Sequence, residues 1–196
     1  LNTYHAVRTL ERAGADCIQL EDQVSPKRCG HFNGKEVIEA SEMIGKIKAA
    51  CDARRNEGTI IMARTDAAAI HGFDAAVERA QAYAEAGADL LFVEAVTSAE
   101  HIAALPQRLK TPQLMNMVIG GKTPITSTEE LAKMGYGIVL YANAALQGAV
   151  AGMQRALGVL KNEGHIQEDP NLVAPFAERQ RLVNKPIWDA LEKKYQ

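Results

Sequence analysis

The chain has 196 residues, 47% of them hydrophobic and 23% charged, with a formal net charge of −2; these values suit one globular domain with a sizeable core. No basic stripe, acidic tail or run of roughly 20 apolar residues occurs, so no nucleic acid and no membrane is expected as a partner. Cys17, Cys29 and Cys51 are an odd count without CxxC spacing, which argues against a disulfide or zinc framework and for a reducing, cytoplasmic compartment.

In chain order, short apolar runs alternate with amphipathic segments, the rhythm of a parallel α/β fold. A helix over 2–13 leads to a strand over 17–21, and a long helix over 35–55 leads to a strand over 59–63. Helices over 74–86, 98–108 and 127–134 then precede strands over 90–94, 113–116 and 138–141, and a helix over 143–163 follows. Two segments are near-copies: Val7–Asp16 before the run Cys17–Leu20, and Val77–Asp89 before Leu90–Val93. In each the helix ends at a glycine, Gly14 or Gly87, which accepts a left-handed cap without a Cβ penalty. Lys133–Gly137 before Ile138–Leu140 is a weaker third copy. Asp169-Pro170-Asn171 breaks the rhythm, and two shorter helical segments follow, with Pro186 suited to the first turn of the last. The division expected is therefore 1–163 for the repeating part and 164–196 for a helical tail, where Phe176 and Trp188 suit apolar docking better than ligand binding.

Polar residues close the strands: Glu21-Asp22-Gln23, then Arg64-Thr65-Asp66, then Glu94, then Asn116. In a parallel barrel these C-terminal ends meet at one mouth. Carboxylates, a guanidinium and an amide on one rim suit a small anionic substrate and a hard, oxygen-preferring cation. Any one of them could merely cap a strand; four in succession make that the weaker explanation. The loop after the first strand carries Lys27-Arg28-Cys29-Gly30-His31. Neighbouring cations stabilise a thiolate, and Gly30 permits close backbone approach to a ligand. Cys29 so placed can give or take a proton or act as a nucleophile. Cys17 and Cys51 are expected to be packing residues, His71 a loop or helix-entry residue, and His5, His101 and His165 solvated. Gly120-Gly121-Lys122-Thr123 lacks the spacing of a phosphate-binding P-loop and is expected to be a tight loop.

These motifs resemble the isocitrate lyase and phosphoenolpyruvate mutase superfamily. Lys27-Arg28-Cys29-Gly30-His31 is similar to the catalytic-loop signature of isocitrate and 2-methylisocitrate lyases. Glu21-Asp22-Gln23 stands before it, and Ala63–Ala67, Phe92–Ala95 and Asn116-Met117 follow in the family's order. The resemblance implies a (β/α)8 TIM barrel, with a terminal helix exchanged between subunits of a homodimer or homotetramer. It implies a magnesium-dependent lyase, manganese being an alternative ion, that cleaves a carbon–carbon bond of a 2-hydroxy di- or tricarboxylate. Cys29 would be the acid–base residue, with Lys27, Arg28 and His31 holding developing charge. Arg64 and Glu94 would bind substrate, Gly30 and Asn116 would contact its carboxylate, and Glu21 would sit in the metal's outer shell.

Two departures from the family pattern matter. The family's main magnesium-binding aspartates lie on a strand upstream of the helix with which this chain opens, at Leu1 rather than Met, so the chain is expected to be a piece of a barrel lacking about its first three strands. The arginine that methylisocitrate lyases carry after their last strand corresponds to Gln147, which favours a smaller substrate than a tricarboxylate. The tail, with Lys185-Pro186-Ile187-Trp188, is more similar to the 2,3-dimethylmalate lyase and petal-death-protein branch. An oxaloacetate-cleaving hydrolase or a phosphonate-forming mutase of the same superfamily are the enzymatic alternatives, and a non-catalytic barrel fragment the alternative of another class.

Overall fold

The computed structural model describes residues 1–29 and 34–196. The chain forms two compact units, Leu1–Ala142 and Asn143–Gln196. The first contains α1 (Asn2–Arg12), β1 (Cys17–Glu21), α2 (Ala40–Ala53), β2 (Ile60–Thr65), α3 (Ala68–His71), α4 (Phe73–Glu85), β3 (Leu90–Val93), α5 (Ala99–Arg108), β4 (Leu114–Asn116), α6 (Thr128–Met134) and β5 (Ile138–Leu140). The second contains α7 (Ala144–Glu163), α8 (Phe176–Leu182) and α9 (Lys185–Tyr195).

Strands β1, β2 and β3 pair in parallel in that order, with Glu21 beside Arg64 and Thr65 beside Val93. Strands β4 and β5 form a second parallel pair. A parallel bridge between Leu91 and Gln113 links the two sheets. Strand period two divides the side chains into two faces. One faces the helices: Ala63, Leu91, Val93 and Met115 pack with Met43 and Ile47 of α2, Val77, Ala80 and Tyr83 of α4, Ile102 of α5 and Leu131 of α6. A smaller cluster of Val7, Ile18, Ala50, Ala53 and Ile61 joins α1 to α2 and the sheet. Each large aliphatic buried this way contributes roughly 1.5–3 kcal/mol. On the opposite face Met62, Leu90, Phe92 and Leu114 form their own cluster.

Glycines end the helices as expected, with φ of +90° at Gly14, +111° at Gly87 and +109° at Gly135. At the start of α6, Ser127 accepts from the Glu130 N–H while Glu130 reaches back to the Ser127 backbone, a reciprocal cap. Gly120, at φ +77°, lies in a turn closed by Gly121 N–H to Val118 O, the tight loop expected there.

Some expectations change. The helix expected over 35–55 begins only at Ala40. Residues 35–38 run extended instead, because Gln23 and Val37 bridge antiparallel, Val24 N–H donates to Glu36 O, and Ile38 N–H donates to Asp22 O. Strand β2 runs on to Thr65 rather than stopping at 63, since Arg64 and Thr65 pair with β1 and β3. His71 closes the one-turn helix α3. Cys17 is exposed, not packed, because its parity puts it on the face away from the helices; Cys51 is half-buried against the core, with Sγ donating to Gly87 O at 3.3 Å. His101 is not simply solvated but stacks on Phe73 with ring centroids 3.9 Å apart.

In the second unit, Gly164 ends α7 in the left-handed conformation. Helices α8 and α9 are tied by Trp188 Nε1–H to Val183 O at 2.9 Å, and Pro186 sits in the first turn of α9.

Candidate active site

The site grows out of the strand alternation. Glu21, Arg64, Glu94 and Asn116 share the parity of Met62, Leu90, Phe92 and Leu114, so they stand on the face away from the helices at the C-terminal strand ends. Arg64 is their centre. Its Nε and Nη2 donate to Asp66 at 2.9 and 3.2 Å. It lies 3.8 Å from a carboxylate oxygen of Glu21 and 3.8 Å from one of Glu94, with its guanidinium 4.9 Å from the centroid of the Phe92 ring. Asn116 Nδ2 donates to Glu94 at 3.4 Å. The four rim residues expected from sequence are thus brought together.

Burial alone would push the Arg64 guanidinium's pKa down, but the bond to Asp66 and the charges of Glu94, Asp66 and Glu21 outweigh it and hold it above its ordinary value. Burial likewise opposes the charged form of Asp66, yet the bonds from Arg64 and Lys35 keep its carboxyl below the ordinary range. Among the described residues, two acceptors at the rim are buried without a hydrogen-bond partner, Glu21 Oε1 and Asn116 Oδ1. Buried acceptors of this kind cost free energy unless a ligand, ion or water engages them.

The loop after β1 is tied to this rim at its base. The Gln23 side chain clamps the Arg28 backbone, accepting from its N–H at 2.9 Å and donating to its carbonyl at 2.9 Å. Lys27 Nζ sits 3.0 Å from Glu21 Oε2 with its side chain 56% exposed, so the pair contributes at most about 1 kcal/mol. The Arg28 guanidinium lies over Gly34, where a Cβ would meet it at 2.8 Å. Cys29 is a free, exposed thiol. Gly30 and His31 lie outside the described residues. A cleft of about 160 Å³ between Gln23, Pro26, Arg28 and Lys35 opens beside the loop. Larger clefts, of about 240 Å³ along α1 and 370 Å³ along α4, are lined by none of the rim residues. Gln147 lies in the first turn of α7.

Sequence reasoning placed Asp22 and Asp66 among the strand-end polar residues without a role of their own and did not single out Lys35, Arg79 or Tyr83. Asp22 is fully buried and accepts from Thr65 Oγ1 at 2.7 Å, Tyr83 OH at 2.8 Å and the Asp66 N–H at 3.0 Å, with Arg79 at 3.4 Å. Lys35, also buried, donates to Asp66 Oδ1 at 3.0 Å. A signal did exist for Asp22: it has the parity of Ile18 and Leu20, so its charge falls where the strand is apolar and demands partners. Arg79 and Tyr83, four apart on α4, supply two of them.

The sequence pattern of the family described as phosphoenolpyruvate phosphomutase matches residues 2–160. A 2,3-dimethylmalate lyase of Eubacterium barkeri is 45% identical over 195 residues, covering 100% of this chain and 68% of its own. A 2-methylisocitrate lyase of Aeropyrum pernix is 44% identical over 164 residues, covering 84% of this chain and 53% of its own. Among solved structures, an oxaloacetate acetylhydrolase with the inhibitor 3,3-difluorooxalacetate superposes with TM-score 0.87 at 31% identity, covering 98% of this chain and 65% of that one. A phosphonopyruvate hydrolase holding oxalate and magnesium gives TM-score 0.83 at 29% identity, over 99% of this chain and 68% of that one. The chain therefore spans between about half and two thirds of the length of these relatives.

Proposed function

Because the chain belongs to the phosphoenolpyruvate phosphomutase family, we propose that it serves a magnesium-dependent carbon–carbon lyase acting on a small 2-hydroxy di- or tricarboxylate of the 2,3-dimethylmalate or 2-methylisocitrate kind. The observation that carries this proposal is the convergence of Glu21, Arg64, Glu94 and Asn116 at adjacent strand ends with two buried acceptors unsatisfied. The fold is an α/β arrangement of parallel strands like that of the superfamily's solved structures. Completion to a (β/α)8 barrel is supported by the side chains left open on the face away from the helices, Cys17, Ile60, Ile138 and Leu140.

In the proposed reaction the substrate's hydroxyl proton passes to a base as the adjacent C–C bond breaks. The hydroxyl carbon becomes the carbonyl of a 2-oxo acid, and the electron pair of the broken bond stays on the other fragment. The Cys29 thiol donates a proton to that carbanion-like carboxylate, with Lys27, Arg28 and His31 holding its developing charge. Arg64 binds a substrate carboxylate through its remaining N–H donors, Glu94 accepts from a hydroxyl, and Asn116 with Gly30 contacts the carboxylate.

Magnesium, when bound, supplies charge for the oxygens of the 2-oxo acid. Glu21 Oε1, a buried acceptor without a hydrogen bond, fits the outer shell through a water. Among the described residues no group of three or more His, Cys, Asp or Glu could hold the ion directly, and Glu21 is the residue among them assigned to the metal's outer shell. No helix among the described residues is long and apolar enough to cross a membrane. The exposed apolar residues of the second unit, among them Phe176, Ile187 and Trp188, support docking of the tail onto a partner subunit of a homodimer or homotetramer.

The test is a substrate panel. The full-length protein with magnesium is incubated with 2,3-dimethylmalate, 2-methylisocitrate and oxaloacetate, and products are followed by NMR. Release of a 2-oxo acid from one of the first two supports the lyase. Cleavage of oxaloacetate alone, to oxalate and acetate, assigns the hydrolase activity instead. Failure on all three, with phosphonopyruvate formed from phosphoenolpyruvate, contradicts the proposal.

A further inference from the structure

We propose that Lys35 and Asp66 are positioning residues that aim the Arg64 guanidinium at an incoming carboxylate, an inference that rests on the substrate-binding role given to Arg64 above. Arg64 has three carboxylates around it: Asp66 at 2.9 Å, and Glu21 and Glu94 each at 3.8 Å. A flexible side chain among three acceptors could turn to any of them. Asp66 removes that freedom by engaging Nε and Nη2 together, which fixes the guanidinium plane while three of its five N–H donors are not used by Asp66. The Phe92 ring braces one face of that plane.

Asp66 can do this only if it is itself fixed, and it is held from two directions. Its backbone N–H donates to the buried Asp22. Its Oδ1 is shared between Arg64 Nη2 and Lys35 Nζ, whose side chains are 10% and 2% exposed. Lys35 supplies a second buried cation to a group in which three carboxylates surround one guanidinium. The extended course of residues 35–38 lets Lys35 reach Asp66 while Ile38 N–H donates to Asp22 O. Lys35 and Asp66 need not touch substrate, so their effect passes through Arg64.

Oxalate affinity, measured calorimetrically on the full-length protein with magnesium, tests this. Lys35→Met and Asp66→Asn should each weaken binding about tenfold or more, the scale expected when a binding group is misplaced. Lys35→Arg should recover most of the loss. Because Lys35 acts through Arg64, the double variant Lys35→Met/Arg64→Ala should bind no more weakly than Arg64→Ala alone. If Lys35→Met does not fold, Asp66→Asn and Lys35→Arg carry the same comparison. Wild-type affinity in folded Lys35→Met or Asp66→Asn, additive losses in the double variant, or a wild-type protein that ignores oxalate would each overturn the inference. A wild-type protein that binds oxalate with the predicted coupling but cleaves no hydroxy acid sinks the lyase proposal and leaves this one standing.

Discussion

Asp22 shows how a single buried carboxylate can set the geometry of a rim it does not itself occupy. It gathers Thr65, Tyr83, Arg79 and the backbone of Asp66 at the end of β2, so the strand end bearing Arg64 is anchored to α4. Tyr83 offers a way to measure this anchor. Burial, and then the charge of Asp22, push its phenol above the ordinary value. A raised folded-state pKa contributes stability that is complete below the unfolded value of about 10 and is lost as pH rises above it. Tyr83→Phe should cost about 1.5–3 kcal/mol at neutral pH, the scale of a hydrogen bond to a charged group, and should flatten the fall in stability above about pH 10. Tyr136, also raised by burial, leaves part of that fall in place. Denaturant melts of both proteins from neutral to alkaline pH check this; an identical alkaline slope in the two would show that the phenol is not held neutral by the fold. At this scale Glu21, Arg64, Glu94 and Asn116 were legible because each follows directly on an apolar run. Lys35 was not, because its partner Asp66 is 31 residues away and no local pattern links them.

At the scale of elements, helix ends and strand starts are set by glycines whose surroundings differ. Gly14 has open space where a Cβ would sit, whereas a Cβ at Gly87 would meet Cys51 Sγ at 3.0 Å. Gly14→Ala should therefore cost roughly 1–2 kcal/mol for left-handed backbone alone. Gly87→Ala should cost more, since the half-buried Cys51 must also move and its bond to Gly87 O is disturbed. Urea midpoints rank the pair, and an equal loss in both would show that the Cys51 contact is slack. These turns were readable because the two helix–glycine–strand segments repeat. The start of α2 was not: residues 35–39 suit a helix locally, but pairing with the 22–24 segment overrides that preference. The apolar spacing that marks 40–53 as helical carries no information about the preceding ladder.

For the molecule as a whole, the alternation of strands and helices across Leu1–Ala142 identified the class of fold because each parallel strand needs a helical crossover before the next. The residue face that carries the site belongs to the same sheets whose other face packs on α2, α4 and α5, so chemistry and core share one scaffold. What the sequence pattern could not supply is the charge network beneath the rim, since periodicity reports which face a residue occupies and not which distant residue it meets. The central claim is that the rim binds a small carboxylate and Cys29 delivers the proton that completes bond cleavage. Its most direct test compares Cys29→Ser with the wild-type full-length protein, measuring turnover on the best substrate of the panel and oxalate affinity side by side. A hydroxyl is a far poorer acid than a thiol near neutral pH, so turnover should fall by about two orders of magnitude or more while oxalate affinity stays within a few-fold. Near-normal turnover in Cys29→Ser would remove the cysteine from the mechanism and contradict the account.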